Sequence, residues 1–98
     1  LTVNFVYMLQ CSDGSFYTGW TTNLQNRLHM HSTGKGAKYT RSRLPVKLVY
    51  WETAENRSEA LRREAQIKRL TRTQKEQLVK KQKRLALPLE SAGKNMVY

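Results

Sequence analysis

The sequence predicts an α+β fold: a three-stranded antiparallel sheet flanked by helices, in the order ββαβαα. Three observations carry that prediction. Two short runs of β-branched and aromatic residues, Val3 to Leu9 and Phe16-Tyr17-Thr18, flank a Cys11-Ser12-Asp13-Gly14-Ser15 turn in which Asp-Gly favours the positive φ of a hairpin. A third such run, Val46 to Trp51, follows Pro45 and is long enough for a strand but too short for a helix. Three segments with helical spacing open on capping residues.

The helices follow in order. The Thr-Thr-Asn run at 21 to 23 can cap a helix that carries Leu24, Leu28 and His31 until Gly34 stops it, so the first helix covers about Leu24 to Ser32. Gly34 to Arg43 has no period and mixes glycine with four basic residues, which reads as an exposed loop. Asn56 and Glu59 match a capping box and open a second helix, about Arg57 to Leu70, with Ala60, Leu61, Ala65 and Ile67 as its apolar positions. Thr73 and Glu76 repeat the pattern and open a third, about Thr73 to Leu85, with Leu78, Val79 and Leu85. Residues 1–85 are therefore expected to form one domain, with 86–98 a flexible C-terminal tail.

Charge narrows the partner. The 98 residues carry 18 Lys and Arg against 7 Asp and Glu, a net charge of +11, which points to a polyanion. The excess is uneven: residues 1–22 contribute −1, residues 23–49 contribute +6 and residues 50–98 contribute +6. A lone cysteine, Cys11, can form neither an internal disulfide nor a multi-cysteine zinc site. No apolar run approaches the ~20 residues of a membrane span, and Leu1-Thr2-Val3-Asn4 does not resemble a signal peptide. A cytoplasmic, nucleoid-associated protein with no membrane partner is the expectation.

Two helical positions stand out chemically. On the second helix, taking about 100° per residue, Glu64 falls about 60° from Leu61, inside the apolar arc. A carboxylate there needs a partner: either an i,i+4 pair with Lys68, or a role as metal ligand or general acid/base. On the first helix Arg27 and His31, four apart, share a face beside Leu24 and Leu28. Arg offers a planar fork for phosphate oxygens and His can move protons near neutral pH; the plain alternatives are a solvent-facing Arg27 and a His31 that caps its helix. His29 lies on another face from His31, so the two do not form a chelating pair. Tyr7 and Tyr17, on the two hairpin strands, read either as packing or as functional hydroxyls. No serine triad and no P-loop pattern is present.

These residues line up with a known pattern. Val6-Tyr7-Met8, followed by Tyr17-Thr18-Gly19 and then by Arg27, His31 and Glu64, resembles the GIY-YIG nuclease superfamily over about Asn4 to Val79. Phe5 stands where that signature has its first glycine, Val6 for the first isoleucine and Thr18 for the second. Gly34-Lys35-Gly36-Ala37-Lys38 and Leu70-Thr71-Arg72-Thr73-Gln74-Lys75-Glu76 look closest to small stand-alone bacterial members.

The resemblance implies a metal-dependent DNA endonuclease acting in repair, recombination or processing of structured DNA. On that reading Glu64 is the sole protein ligand of Mg²⁺ or Mn²⁺, and Arg27 neutralises charge on the scissile phosphate. Either Tyr7 or Tyr17 orients and deprotonates the attacking water, with Tyr7 favoured as base and Tyr17 as the phosphate-positioning hydroxyl, and His31 or Lys38 balances the phenol's proton, because a free phenol with pKa near ~10 is a poor base at neutral pH. Gly19 allows close backbone approach. Lys35, Lys38, Tyr39, Arg41, Arg43, Lys68 and Arg72 then contact nucleic acid, DNA rather than RNA. The competing expectation is a nucleic-acid-binding module, on DNA or RNA, with little catalytic power.

Overall fold

The structure, a computed structural model, describes residues 2–85. The expected tail, 86–98, lies outside the described residues. Strands β1 (Asn4–Gln10) and β2 (Phe16–Thr21) form the hairpin, followed by α1 (Leu24–Ser32), α2 (Lys38–Arg41), β3 (Lys47–Ala54), α3 (Arg57–Lys68) and α4 (Arg72–Leu85). The sheet is antiparallel with order β2-β1-β3. The expected α+β class and three-stranded antiparallel sheet are present.

The hairpin closes as its residues dictate. Gly14 takes φ +85, a conformation that suits glycine. Asp13 Oδ1 accepts from Ser15 N at 3.0 Å and from Ser15 Oγ at 2.6 Å, fixing the turn. In the central strand Val6 and Met8 pack on one face with Tyr50, Ala60 and Ile67. Tyr7 and Leu9 pack on the other with Cys11, Leu28 and Val46. Burial on both faces explains why β1 is apolar almost without alternation.

The two sheet edges differ. Along β3, Gln82 of α4 accepts from Trp51 N at 2.7 Å and donates to Trp51 O, so a side-chain amide continues the ladder and covers that edge. The strand β2 forms the opposite edge.

Three local expectations are corrected. Residues 38–41 of the expected loop form the short helix α2, whose Thr40 is fully buried; a single turn has no period to detect. The cap before α4 lies at Thr71 rather than Thr73: Thr71 Oγ1 accepts from Gln74 N at 3.2 Å and Gln74 Oε1 accepts from Thr71 N at 2.9 Å. That reciprocal pair is a capping box displaced by two residues. On α3 the inward stripe runs through Ala60, Arg63, Glu64 and Ile67, while Leu61 is 42% exposed and Ala65 is exposed. Other elements shift only at their ends: β3 runs on to Ala54 and α3 stops at Lys68. Asn23 and Asn56 cap α1 and α3 through their side-chain oxygens, as expected.

Candidate functional site

The site is assembled at the β2 edge. Tyr7 on β1 faces Gly19 on β2 in the register, so both lie on the same side of the sheet. A Cβ at Gly19 would sit 2.6 Å from Tyr7 Oη. Only glycine leaves room for the phenol to cross β2 toward the sheet edge. Tyr17 lies beside it, ring centroids 6.4 Å apart.

Helix α1 supplies the opposite wall. The Asn23 cap starts it at Leu24, and Leu28 anchors it in the core, which turns His31 inward. His31 is 1% exposed, with Nε2 2.9 Å from Tyr7 Oη and Nδ1 2.8 Å from Thr40 Oγ1. Its ring meets Tyr17 edge-on at 5.3 Å. Gly36 completes the wall, since a Cβ there would run into the His31 ring. Tyr39 stacks on Tyr17 with centroids 6.2 Å apart, and the Arg43 guanidinium covers Tyr39 at 3.9 Å.

Charge enters from two helices. Arg27 on α1 is exposed at the mouth, while Glu64 on α3 is largely covered and pairs with Lys68 at 3.5 Å. Burial, then Tyr17, raise the Tyr7 phenol beyond the ordinary range, with Glu64 also raising it and Arg27 pulling it down. Tyr17 is raised by burial and then by Glu64, and Arg27 again opposes. His31 is lowered from 6.5 to about 4, first by burial and then by the Arg27 charge, so the imidazole is neutral at physiological pH. The five side chains Tyr7, Tyr17, Arg27, His31 and Glu64 therefore share one electrostatic environment. Chemically it offers a hydrogen-bonded phenol and imidazole, a second phenol, a guanidinium and a carboxylate.

Residues 3–77 match the GIY-YIG catalytic domain. The chain belongs to the GIY-YIG family. GIY-YIG domains form a nuclease superfamily that acts on nucleic acids, and its enzymes generally depend on divalent metal. A UPF0213 protein of Clostridium perfringens is 60% identical over 77 residues, covering 79% of this chain and 83% of that one. One from Halobacterium salinarum is 53% identical over 76 residues, 78% of this chain and 99% of its own length. Among solved structures, a protein of E. faecalis superposes with a TM-score of 0.57 at 48% identity, covering 83% of this chain and 86% of that one. The UPF0213 protein of Bacillus halodurans gives 0.52 at 49%, covering 80% and 83%.

In this GIY-YIG domain the residues expected to hold nucleic acid divide into two groups. Lys35, Lys38 and Arg41 are exposed and make no ion pair among the described residues. Arg43 is instead tied to Asp13 at 3.0 Å and to Tyr39 O at 2.8 Å. Arg72 binds Glu76 at 3.1 Å and Gly14 O at 2.9 Å and covers the Phe16 ring. Lys68 is held by Glu64, and the Tyr39 ring is packed against Tyr17 and Arg43. His31 binds two side chains through its ring nitrogens rather than capping α1.

Sequence reasoning missed Thr40, Gly36 and Lys75. Thr40 and Gly36 contact His31, and Lys75 lines a groove of about 200 Å³ with Phe16, Tyr17, Thr18, Tyr39 and Lys68. Gly36 and Lys75 lie in stretches that carry the family resemblance, but helical spacing reaches only one turn along one helix, so no sequence signal assigned a role to any of the three. No helix among the described residues is long and apolar enough to cross a membrane.

Proposed function

We propose that this protein is a metal-dependent DNA endonuclease that hydrolyses phosphodiester bonds in branched, flapped or otherwise structured DNA, in repair or recombination, with residues 1–85 as its catalytic unit. The observation that supports the reading is the contact of Tyr7, Tyr17 and His31 beside β2, with Arg27 and Glu64 near enough to shift the acidity of both phenols. A binding module needs none of these beyond Arg27. Such a protein works in the cytoplasm at the nucleoid, where its net charge of +11 holds it near DNA.

The residues fit a hard divalent cation. Among the described residues no three His, Cys, Asp or Glu side chains form a cage. Glu64 offers one carboxylate near enough to raise both phenols, and Mg²⁺ characteristically takes one or two carboxylates with water and phosphate oxygens. When bound, Mg²⁺ or Mn²⁺ supplies Lewis-acid polarisation of a phosphate oxygen. Lys68, now 3.5 Å from Glu64, is itself more than half exposed and can swing out into solvent.

The protein's own groups do the rest. Arg27 binds the scissile phosphate and neutralises the charge that grows there. Tyr17 donates to a phosphate oxygen and fixes its orientation. Tyr7 takes a proton from the attacking water, and His31 Nε2, 2.9 Å away, receives the phenol's own proton. Lys35, Lys38 and Arg41 hold flanking phosphates without reading sequence.

The test incubates the protein with branched, flapped, nicked and linear DNA in Mg²⁺ or Mn²⁺, beside Glu64→Ala and Arg27→Ala. Metal-dependent cleavage lost in both variants supports the reading. The Glu64–Lys68 pair favours one competitor, a binding module on DNA or RNA whose carboxylate is only structural; clean binding without cleavage of any substrate would establish it instead.

A further inference from the structure

We infer that Thr40 is a positioning residue that fixes the tautomer of His31, holding the ring proton on Nδ1 so that Nε2 stays open to the Tyr7 phenol. The catalytic consequence rests on the endonuclease reading; the tautomer itself does not.

The hydrogen-bond directions follow from counting protons. A threonine hydroxyl has one proton to donate and can accept as well. Thr40 Oγ1 lies 3.0 Å from Ala37 O, which can only accept, so the hydroxyl proton goes there. Toward His31 Nδ1, at 2.8 Å, Thr40 Oγ1 then accepts, and Nδ1 must carry hydrogen. With the ring neutral, Nε2 presents a lone pair to Tyr7 Oη at 2.9 Å, and the phenol donates. The reversed chain, Thr40 to Nδ1 and Nε2 to Tyr7, forfeits the bond to Ala37 and strands the Tyr7 proton. Tyr7 is 1% exposed, and among the described residues no other acceptor is hydrogen-bonded to its hydroxyl, since the neighbouring Arg27 can only donate. A buried donor without an acceptor costs about 1–3 kcal/mol, so the first direction prevails.

The same direction is the one the reaction needs. As water attacks phosphorus, its O–H bond breaks and the proton passes to Tyr7 Oη. The original Tyr7 proton passes to Nε2, and the leaving oxygen departs with the P–O electron pair and takes a proton from solvent. Tyr7 never carries a full negative charge, so a phenol that resists ionisation can still serve. With the proton on Nε2 instead, the relay has no terminal acceptor. The turn at α2 thus contributes to the site through one buried hydroxyl, and Gly36 lets the His31 ring lie against that segment.

The experiment reads the ring directly. Long-range ¹⁵N–¹H correlation spectra of the full chain at neutral pH, for wild type, Thr40→Ser and Thr40→Val, report which His31 nitrogen is protonated. Wild type and Thr40→Ser are expected to show a protonated Nδ1 and a bare Nε2, with Thr40→Val moving population to the Nε2-protonated form. Where cleavage is measurable, Thr40→Val is expected to lower kcat by about tenfold or more at unchanged KM, and Thr40→Ser to restore it. A wild-type ring protonated on Nε2 overturns the inference, whether or not Thr40→Val folds. A protein that cuts no DNA yet shows the Nδ1 form refutes the endonuclease reading and leaves the tautomer standing.

Discussion

Tyr7 Oη and His31 Nε2 are 2.9 Å apart across 24 residues of chain, in a pair of residues each 1% exposed. The pair is possible because two glycines lie against it, Gly19 under the phenol and Gly36 against the imidazole. It joins the first strand to the first helix and, in the tautomer inferred above, gives a buried imidazole a proton donor. Stability, acidity and the proposed chemistry all pass through this contact.

His31 makes stability depend on pH in a defined window. Its folded value of about 4 lies below the ordinary 6.5, caused by burial and then Arg27, with Tyr7, Tyr17 and Thr40 as its other neighbours. Between those values the unfolded chain binds a proton that the folded chain does not. The contribution is therefore fully present above pH 6.5 and is lost as pH falls toward 4, on the order of 3 kcal/mol in all. Urea midpoints for wild type are expected to fall across that window, with His31→Gln flattening the slope. Equal slopes for the two proteins would count against the assignment. Asp13, lowered from 3.8, acts below this window.

The same shift sets the acid limb of activity. If His31 accepts the proton in catalysis, kcat/KM reports its free-enzyme value and should hold down to about pH 4 instead of falling near 6.5. Removing the guanidinium removes one cause of the shift, so Arg27→Ala should raise the His31 pKa, read by NMR titration. An unchanged titration in that variant would place Arg27 too far from the ring to act on it.

The two glycines offer a steric test. An added Cβ at Gly19 meets Tyr7 Oη at 2.6 Å and Cζ at 2.8 Å, so Gly19→Ala must displace the ring. Overpacking of this kind costs about 1–3 kcal/mol. Gly36→Ala should cost a similar amount through the His31 ring. Both variants are expected to lose cleavage beyond what their denaturation midpoints explain, whereas Gly14→Ala, with open space around it, should change only turn stability. Full activity in Gly19→Ala would show that the phenol's position is not critical.

Much of the site was legible in sequence because its key residues carry local signatures. Tyr7 and Tyr17 sit on strands defined by their own β-branched neighbours, and Arg27 and His31 fall one turn apart on a helix with a visible Asn23 cap. Glu64 was visible as a carboxylate in an apolar arc, although Leu61 and Ala65, which helped to define that arc, lie outside the buried stripe. What escaped is tertiary. Thr40 matters through a contact nine residues away across an aperiodic segment. Arg43 counted in sequence as one more surface cation, but Asp13, 30 residues earlier, claims it.

That distinction predicts how the basic residues separate in binding. Lys35→Ala, Lys38→Ala and Arg41→Ala should leave stability within about 0.5 kcal/mol. Each should reduce the slope of log K against log salt by about 0.9 for duplex DNA. Arg43→Ala should instead destabilise by about 1–3 kcal/mol, since it loses a carboxylate, a carbonyl and the Tyr39 ring together. Fluorescence anisotropy across a salt series, with a urea melt of each variant, separates the two groups. A stable Arg43→Ala that binds poorly would move Arg43 into the DNA-contacting set.

Glu64 is where structure and chemistry diverge most in magnitude. Its pair with Lys68, at 3.5 Å, is half on the surface and Gln keeps the side chain's size and a polar end, so Glu64→Gln should melt within about 1 kcal/mol of wild type. Lewis-acid assistance is worth several kcal/mol, which at about 1.36 kcal/mol per decade means a loss of roughly 10²–10³ in kcat. DNA binding should persist or tighten, because a negative charge has left a basic surface. The Tyr17 phenol should move back down toward its ordinary range, since Glu64 is the second cause holding it up. Chelation of the metal should reproduce the kinetic loss in wild type and add little to Glu64→Gln. If chelator and variant effects multiply instead, the cation acts elsewhere and Glu64 has only its structural role on α3.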